Sequence, residues 1–134
     1  MSSVLSRLLL SLLLCLCLAV TALAADFPTS GKLNATQGNQ LLEQYAAGGL
    51  TILDVRTPGE FAAGHFPDAL LIPVAELSSR VSEIPAGPVL IVCRSGRRAQ
   101  NAYHTLIRSG RSPESLWFLS GYTDYSGAVP RFIN

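Results

Sequence analysis

At 134 residues the chain has room for one domain and not two, and ten Lys and Arg against nine Asp and Glu give a formal charge of +1. That balance argues against nucleic acid as a partner, because such binding needs a net or clustered basic footprint wider than one loop. One cysteine outside the first 25 residues and two unrelated histidines, His65 and His104, are too few ligands for a metal site, and no cofactor is expected.

The first 25 residues differ in kind from the rest. Arg7 precedes an apolar run from Leu8 to Val20, and Thr21-Ala22-Leu23-Ala24 closes it on a small-x-small pattern. A short positive start, an apolar stretch and such an end predict a signal peptide over 1–24, cut between Ala24 and Ala25. The alternative is an uncleaved membrane anchor, since Leu8 to Ala25 is only just long enough to span a bilayer. A lipid anchor is not favoured, because neither Cys15 nor Cys17 follows the small residue such processing wants. Cleavage would remove Arg7 and no acid, leaving a neutral domain with no stable hold on the membrane. It would also leave Cys93 as the only cysteine. Exported cysteines usually pair, so a lone thiol calls for an explanation, and a reactive nucleophile is one.

A polar tail over 25–31 leads into a folded domain over 32–134, where Lys32–Ala35 is a candidate edge strand. Gln40 to Ala47 carries apolar residues at helical spacing and closes on Gly48-Gly49. Leu50 to Val55 is a short apolar run suited to a strand buried on both faces. Thr57-Pro58 is a capped helix start with Pro at the first helical position, and Gly64 stops that helix. Ala69 to Ile72 is a second strand, ended by Pro73. Val74, Leu77, Val81 and Ile84 make one face of a helix, which Pro85-Ala86-Gly87-Pro88 breaks. The strand Val89–Val92 follows. Ala99, Ala102, Tyr103, Leu106 and Ile107 then form an apolar helical face stopped by Gly110. Ser115 to Leu119 is the last strand, before a Tyr-rich tail. Strands alternating with helices predict an α/β fold of three layers, with a central parallel sheet of four to five strands flanked by helices.

The chain is organised around Val89-Leu90-Ile91-Val92-Cys93-Arg94-Ser95-Gly96-Arg97-Arg98. Four apolar residues, three of them β-branched, run into a cysteine, and a turn rich in Arg, Ser and Gly leads to a helix. A thiol is thereby placed at the carboxyl end of a buried strand, where open α/β sheets bind ligands. Backbone N–H groups from Arg94 to Arg98 are expected to ring its sulfur as in an anion-binding nest, with the helix N-terminus adding positive potential. Gly96 lets the backbone turn inward. Arg94, Arg97 and Arg98 supply fixed charge for the outer oxygens of an anion. A thiolate in this setting is stabilised and becomes a nucleophile. The plainer alternative is a buried structural Cys followed by a solvated basic turn.

Three segments in this order, Leu53-Asp54-Val55-Arg56-Thr57-Pro58-Gly59-Glu60-Phe61, Gly64-His65-Phe66-Pro67-Asp68-Ala69 and Cys93-Arg94-Ser95-Gly96-Arg97-Arg98, resemble the rhodanese-like domain family. The likeness runs from about Lys32 to Tyr125 and is nearest to single-domain sulfurtransferases, some of them exported to the bacterial periplasm. It implies a thiosulfate sulfurtransferase in which Cys93 takes a sulfane sulfur from thiosulfate or a similar small anionic donor, as a persulfide. The sulfur then passes to cyanide or another thiophilic acceptor. Arg94, Ser95, Gly96, Arg97 and Arg98 would bind the donor, and a periplasmic location would follow from the leader. Asp68 stands where the family commonly has Gly, and Ser120 and Tyr125 replace a Gly and a Trp often found after the last strand.

The other polar residues of these segments have plainer readings. Asp54, at a strand end, is expected to accept hydrogen bonds from loop amides. Arg56 and Glu60, four apart, are expected to pair as ordinary surface charges. His65 is expected to be structural. Rival functions are a persulfide carrier, a binding module without catalysis, and a Cys-dependent phosphatase. The last needs five residues between nucleophile and Arg, whereas the sixth position after Cys93 is Ala99 and Arg98 falls one residue early.

Overall fold

The strand β4 (Val89–Val92) lies at the centre of the molecule and is buried along its whole length in the computed structural model, which describes residues 27–134. The leader, with Cys15 and Cys17, lies outside the described residues. Five parallel strands form the sheet, in the order β1-β5-β4-β2-β3. They are β1 (Gly31–Leu33), β2 (Thr51–Asp54), β3 (Leu70–Leu71), β4, and β5 (Leu116–Leu119). This is the predicted α/β architecture, with the N-terminal strand as the fifth, on the edge beside β5.

Alternation along β4 builds both cores at once, because successive side chains leave a strand on opposite faces. Val89 and Ile91 join Leu53, Ile72, Leu77, Ala102, Leu106 and Phe118 on one face. Leu90 and Val92 join Leu33, Leu41, Phe66, Trp117, Leu119 and Phe132 on the other. A strand apolar at every position has no other stable place.

Four helices connect the strands: α1 (Ala35–Gln44), α2 (Pro58–Ala63), α3 (Leu77–Arg80) and α4 (Arg97–Arg108). α1 starts five residues before the apolar spacing predicts. Asn34 accepts from the Gln37 amide while the Gln37 side chain accepts from Asn34, a capping box that fixes the start. α2 begins as expected, with Thr57 and Glu60 forming the reciprocal box and Pro58 just inside. The helix predicted over Val74 to Ile84 is a single turn, α3, followed by a 3₁₀ turn at Val81–Glu83. No side chain caps its start at Glu76, and the Ser79 hydroxyl donates to the Glu76 carbonyl. A serine that bonds the local backbone competes with a regular helix. Leu77 and Ile84 still reach the core, so the periodicity marked the right face.

The Tyr-rich tail is structured. β6 (Tyr122–Asp124) and β7 (Arg131–Ile133) pair antiparallel into a hairpin. Phe132 plugs the second core, and Asn39 of α1 exchanges two hydrogen bonds with its backbone. The hairpin thereby runs beside the carboxyl ends of β2 and β4.

Candidate active site

Cys93 is the residue immediately after β4, and only 1% of its surface is exposed. Among the described residues it is the one cysteine, and it is unpaired. The chain then turns at once, and the Gly96 amide donates to the Cys93 Sγ at 3.1 Å. Gly96 makes that possible with φ +88°, a left-handed conformation that L side chains rarely adopt. A Cβ at this position would also lie 3.0 Å from the Gly121 nitrogen and the Leu119 oxygen, so the loop is held against the start of the hairpin.

Gly96 is the N-cap of α4 and provides no side chain to satisfy the first turn. That turn holds Arg97 and Arg98 and no acid. Helices ordinarily favour acidic residues at this positive end, so two guanidinium groups here cost the helix something and suit an external anion. Arg94, Ser95 and Arg97 are exposed, whereas Arg98 is half-buried.

Arg98 is held from α2. Its guanidinium makes a two-pronged contact with Glu60, at 2.7 and 2.8 Å. The hydrogen bond from Arg98 is the main cause that lowers the Glu60 pKa to about 2, with the Thr57 amide and hydroxyl adding to it against a cost from burial. The Arg98 charge is favoured in return, first by Glu60 and then by the nearby Cys93 sulfur. Glu60 on α2 therefore fixes Arg98 in the first turn of α4, the helix that follows the Cys93 loop. Sequence reasoning selected Arg98 and missed its anchor. Sequence signals for it were meagre, since the two residues are 38 positions apart.

The expected pairing of Arg56 with Glu60 is not observed. Arg56 turns back instead onto Asp54 through Nε at 2.9 Å and Nη2 at 2.7 Å, while its amide donates to Asp54 Oδ1 at 3.0 Å. Asp54 is fully buried and Arg56 is 4% exposed. An acid that far from water needs an adjacent cation, and the i,i+2 arrangement supplies one. Asp54 does accept a loop amide, as expected, but its main partner is this guanidinium. Arg56 also donates to the Gly64 carbonyl and lies 3.5 Å over the Tyr125 ring. Burial disfavours its charge, yet the hydrogen bond to Asp54 and the charges around it raise its pKa above the usual value.

Tyr125 closes the arrangement by donating its hydroxyl proton to the Cys93 carbonyl at 3.1 Å. Burial, aided by the Asp54 charge, pushes its pKa up, so the phenol stays neutral. Thr123 donates its amide to the Arg94 carbonyl at 3.1 Å. The hairpin thus grips the backbone on which the thiol sits. Its role is absent from the motif residues and legible only in the fold. His65 accepts a structural position, with Nδ1 2.8 Å from the Phe61 carbonyl and its ring stacked on Phe61. Asp68 adopts φ +58°, in the left-handed region that favours glycine. Among the described residues, no three His, Cys, Asp or Glu side chains cluster closely enough to hold a metal ion.

A buried thiol at the end of a parallel strand, with a glycine-bent loop feeding a helix N-terminus, defines a Cys-loop protein of the α/β class. A family model for the rhodanese-like domain matches residues 37–128, and the chain belongs to that family. It is similar to a sulfurtransferase of Allochromatium vinosum, 45% identical over 60 residues, covering 44% of this chain and 56% of the relative. A putative sulfur carrier protein of Bacillus subtilis, YrkF, is 37% identical over 79 residues, 58% of this chain and 42% of that one. The chain spans about half the length of these curated relatives. Among solved structures, a rhodanese-like domain protein from Staphylococcus aureus superposes with a TM-score of 0.59 over 78% of this chain and 99% of that one. Its sequence is 24% identical, so the likeness is one of fold.

Proposed function

We propose that the protein is a sulfurtransferase that carries a sulfane sulfur from thiosulfate, or a similar small anion, to a thiophilic acceptor as a persulfide on Cys93. The observation that carries this reading is the Gly96 amide directed at the Cys93 sulfur, within a loop that opens a helix bearing two arginines. The thiolate is the attacking form. It attacks the outer sulfur of thiosulfate, the S–S bond of the donor breaks, and sulfite leaves with the bonding pair. Cyanide then attacks the outer sulfur of the persulfide, thiocyanate leaves, and the Cys93 thiolate is restored.

The obstacle is electrostatic, because a dianion must approach an anionic sulfur. Backbone N–H groups and the α4 N-terminus stabilise such charge without reorganising. Arg94 and Arg97 are exposed and free to meet the donor's oxygens, while Arg98 is fixed by Glu60 beside the sulfur. No general base is needed when the nucleophile is already a thiolate. With the leader read as an export signal, this chemistry belongs outside the cytoplasm, in the periplasm.

Formation of thiocyanate from thiosulfate and cyanide by the purified protein tests the reading, with Cys93→Ser as the control. The variant should lose the activity completely and keep its fold. Equal rates in both proteins would sink the proposal. The name of the B. subtilis relative favours a second reading, a persulfide carrier with another physiological donor. Mass spectrometry finding about 32 Da added at Cys93 in the isolated protein, with negligible thiosulfate turnover, would select it.

A further inference from the structure

Two successive carbonyl groups of the Cys93 loop are held from the same side. The Cys93 oxygen accepts the Tyr125 hydroxyl and the Arg94 oxygen accepts the Thr123 amide, both at 3.1 Å. A trans peptide unit is planar, so its C=O and N–H point in opposite directions. Carbonyls drawn to the hairpin therefore turn the next two amides, of Arg94 and Ser95, away from it. Among the described residues neither of these amides donates to another backbone group. One peptide further on, the Gly96 amide reaches the Cys93 sulfur. Free amides beside a bonded one are what a negative charge on that sulfur requires.

The two holds differ in kind. Thr123 offers a backbone amide, which any residue but proline would supply there. Tyr125 offers a side chain, and the fold fixes that side chain from three directions. Arg56 lies 3.5 Å over the ring, and Phe66 meets it edge-on with centroids 6.0 Å apart. A Cβ at Gly64 would come within 2.6 Å of the Tyr125 carbonyl oxygen, so α2 ends directly against its backbone. Burial and the Asp54 charge keep the phenol protonated, and it can therefore only donate to the Cys93 carbonyl. The hairpin has other fastenings, in Phe132 within the second core and in the two hydrogen bonds from Asn39. Anchoring the hairpin does not require this bond.

We propose that Tyr125 is a positioning residue for sulfur transfer: its hydroxyl holds the Cys93 carbonyl towards the hairpin and so presents the Arg94 amide, polarised by that same bond, to the anionic sulfur. The inference rests on the sulfur-transfer reading and adds a residue that serves the reaction without touching either reactant. Tyr125 gives up no proton, and the bonds made and broken are those of the transfer already described. The charge it serves is on the Cys93 thiolate before the transfer and on the persulfide after it. Through Arg56, the ion pair that closes β2 keeps the phenol in place beside the strand end that carries the thiol.

The test grades the donor at this one position. Tyr125→Phe keeps the ring, its contact with Phe66 and its place under Arg56, and removes the hydroxyl alone. Site-specific replacement of Tyr125 by 3-fluorotyrosine makes the hydroxyl a stronger donor at nearly the same size. The other charged groups about the sulfur are common to all three proteins: Arg98 with Glu60 behind it, the exposed Arg94 and Arg97, and the buried pair of Asp54 and Arg56. Thiolate formation is followed as the ultraviolet absorbance that each protein loses when Cys93→Ser is added. Its midpoint should lie about 0.3 to 1 pH unit higher in Tyr125→Phe than in the wild type, a two- to tenfold change for one net hydrogen bond. In the fluorotyrosine protein it should lie below the wild type. The backbone amide signal of Arg94 should move in opposite directions in the two variants, while that of Ser95, whose peptide Thr123 still holds, moves less. Below the midpoint, the rate of persulfide formation from thiosulfate should follow the same order. A role in stability alone would lower the melting temperature of Tyr125→Phe and leave the midpoints together, and coincident midpoints in the three proteins overturn the proposal. Failure of the sulfur-transfer reading looks different: the midpoints keep their order, and thiosulfate leaves no persulfide on Cys93.

Discussion

Strands β2 and β4 run side by side in register, Asp54 beside Val92, and each delivers a polar residue to the same edge of the sheet. The two ends are finished in opposite ways. At the end of β2, Asp54 is enclosed by Arg56, which is in turn held by Gly64 and Tyr125. Its polar atoms are matched within the protein. At the end of β4, Cys93 receives one amide, and the cations around its loop point outward or stand beside it. The contrast separates two tasks that a polar strand end can perform. One end fixes the scaffold by spending every charge internally. The other leaves charge unspent, and that surplus is available to a ligand.

The comparison can be broken from the β2 side first. Asp54→Asn leaves Arg56 buried without its counter-charge and should cost about 3 to 5 kcal/mol, read as a drop in the denaturation midpoint. A cost below about 1 kcal/mol would mean that the pair is not a structural fixture. From the β4 side, Gly96→Ala forces an L side chain into the left-handed region and against the Leu119 oxygen and Gly121 nitrogen. We expect a loss of about 2 to 3 kcal/mol, with thiosulfate turnover falling well beyond what unfolding accounts for. Wild-type turnover in a stably folded Gly96→Ala protein would remove the loop geometry from the mechanism.

The Glu60–Arg98 contact lies between the two ends and is smaller in effect. Both residues are one-third exposed, so Glu60→Gln should cost about 1 kcal/mol or less at neutral pH. The folded-state pKa of Glu60 is depressed, so its contribution is present above the ordinary carboxylate value of 4.5 and is lost as pH falls towards about 2. Urea unfolding of wild type and Glu60→Gln should therefore differ at pH 7 and converge near pH 2. A difference that persists at pH 2 would point to packing rather than charge. Smallest of all, Asp68→Gly relieves a left-handed backbone and should raise stability by about 1 kcal/mol or less, measured by thermal melting.

How legible each part is in the sequence follows from how local its causes are. β4 and the turn after it are plain, because an unbroken apolar run, a cysteine and a glycine at a helix start are all neighbours in the chain. Thr57, Pro58 and Glu60 declare the start of α2 for the same reason. The single turn α3 is misread, because the apolar period marks a buried face and not the continuity of a helix. The hairpin is invisible for a stronger reason. β6 and β7 are three residues each, and their place depends on Phe132 finding a core built by α1 and on Asn39, 93 positions away. The same holds for Arg56. Its spacing to Glu60 suggests an ordinary helical pair, and only the burial of Asp54 reveals which acid has the stronger claim.

The near-complete burial of Cys93 has a consequence for what the loop admits. A sulfur with 1% exposure discriminates by width before it discriminates by charge. Slender reagents such as cyanide, or the end of a thiosulfate, meet it in ways that a broad alkylating agent or the surface of a second protein does not. In the sulfur transfer proposed above, loading would alter this selection, because a persulfide would place its terminal sulfur about 2 Å beyond the thiol, on the side from which the donor came. The loaded protein would then offer that sulfur at the mouth of the loop, while the atom to be regenerated stays shielded beneath it.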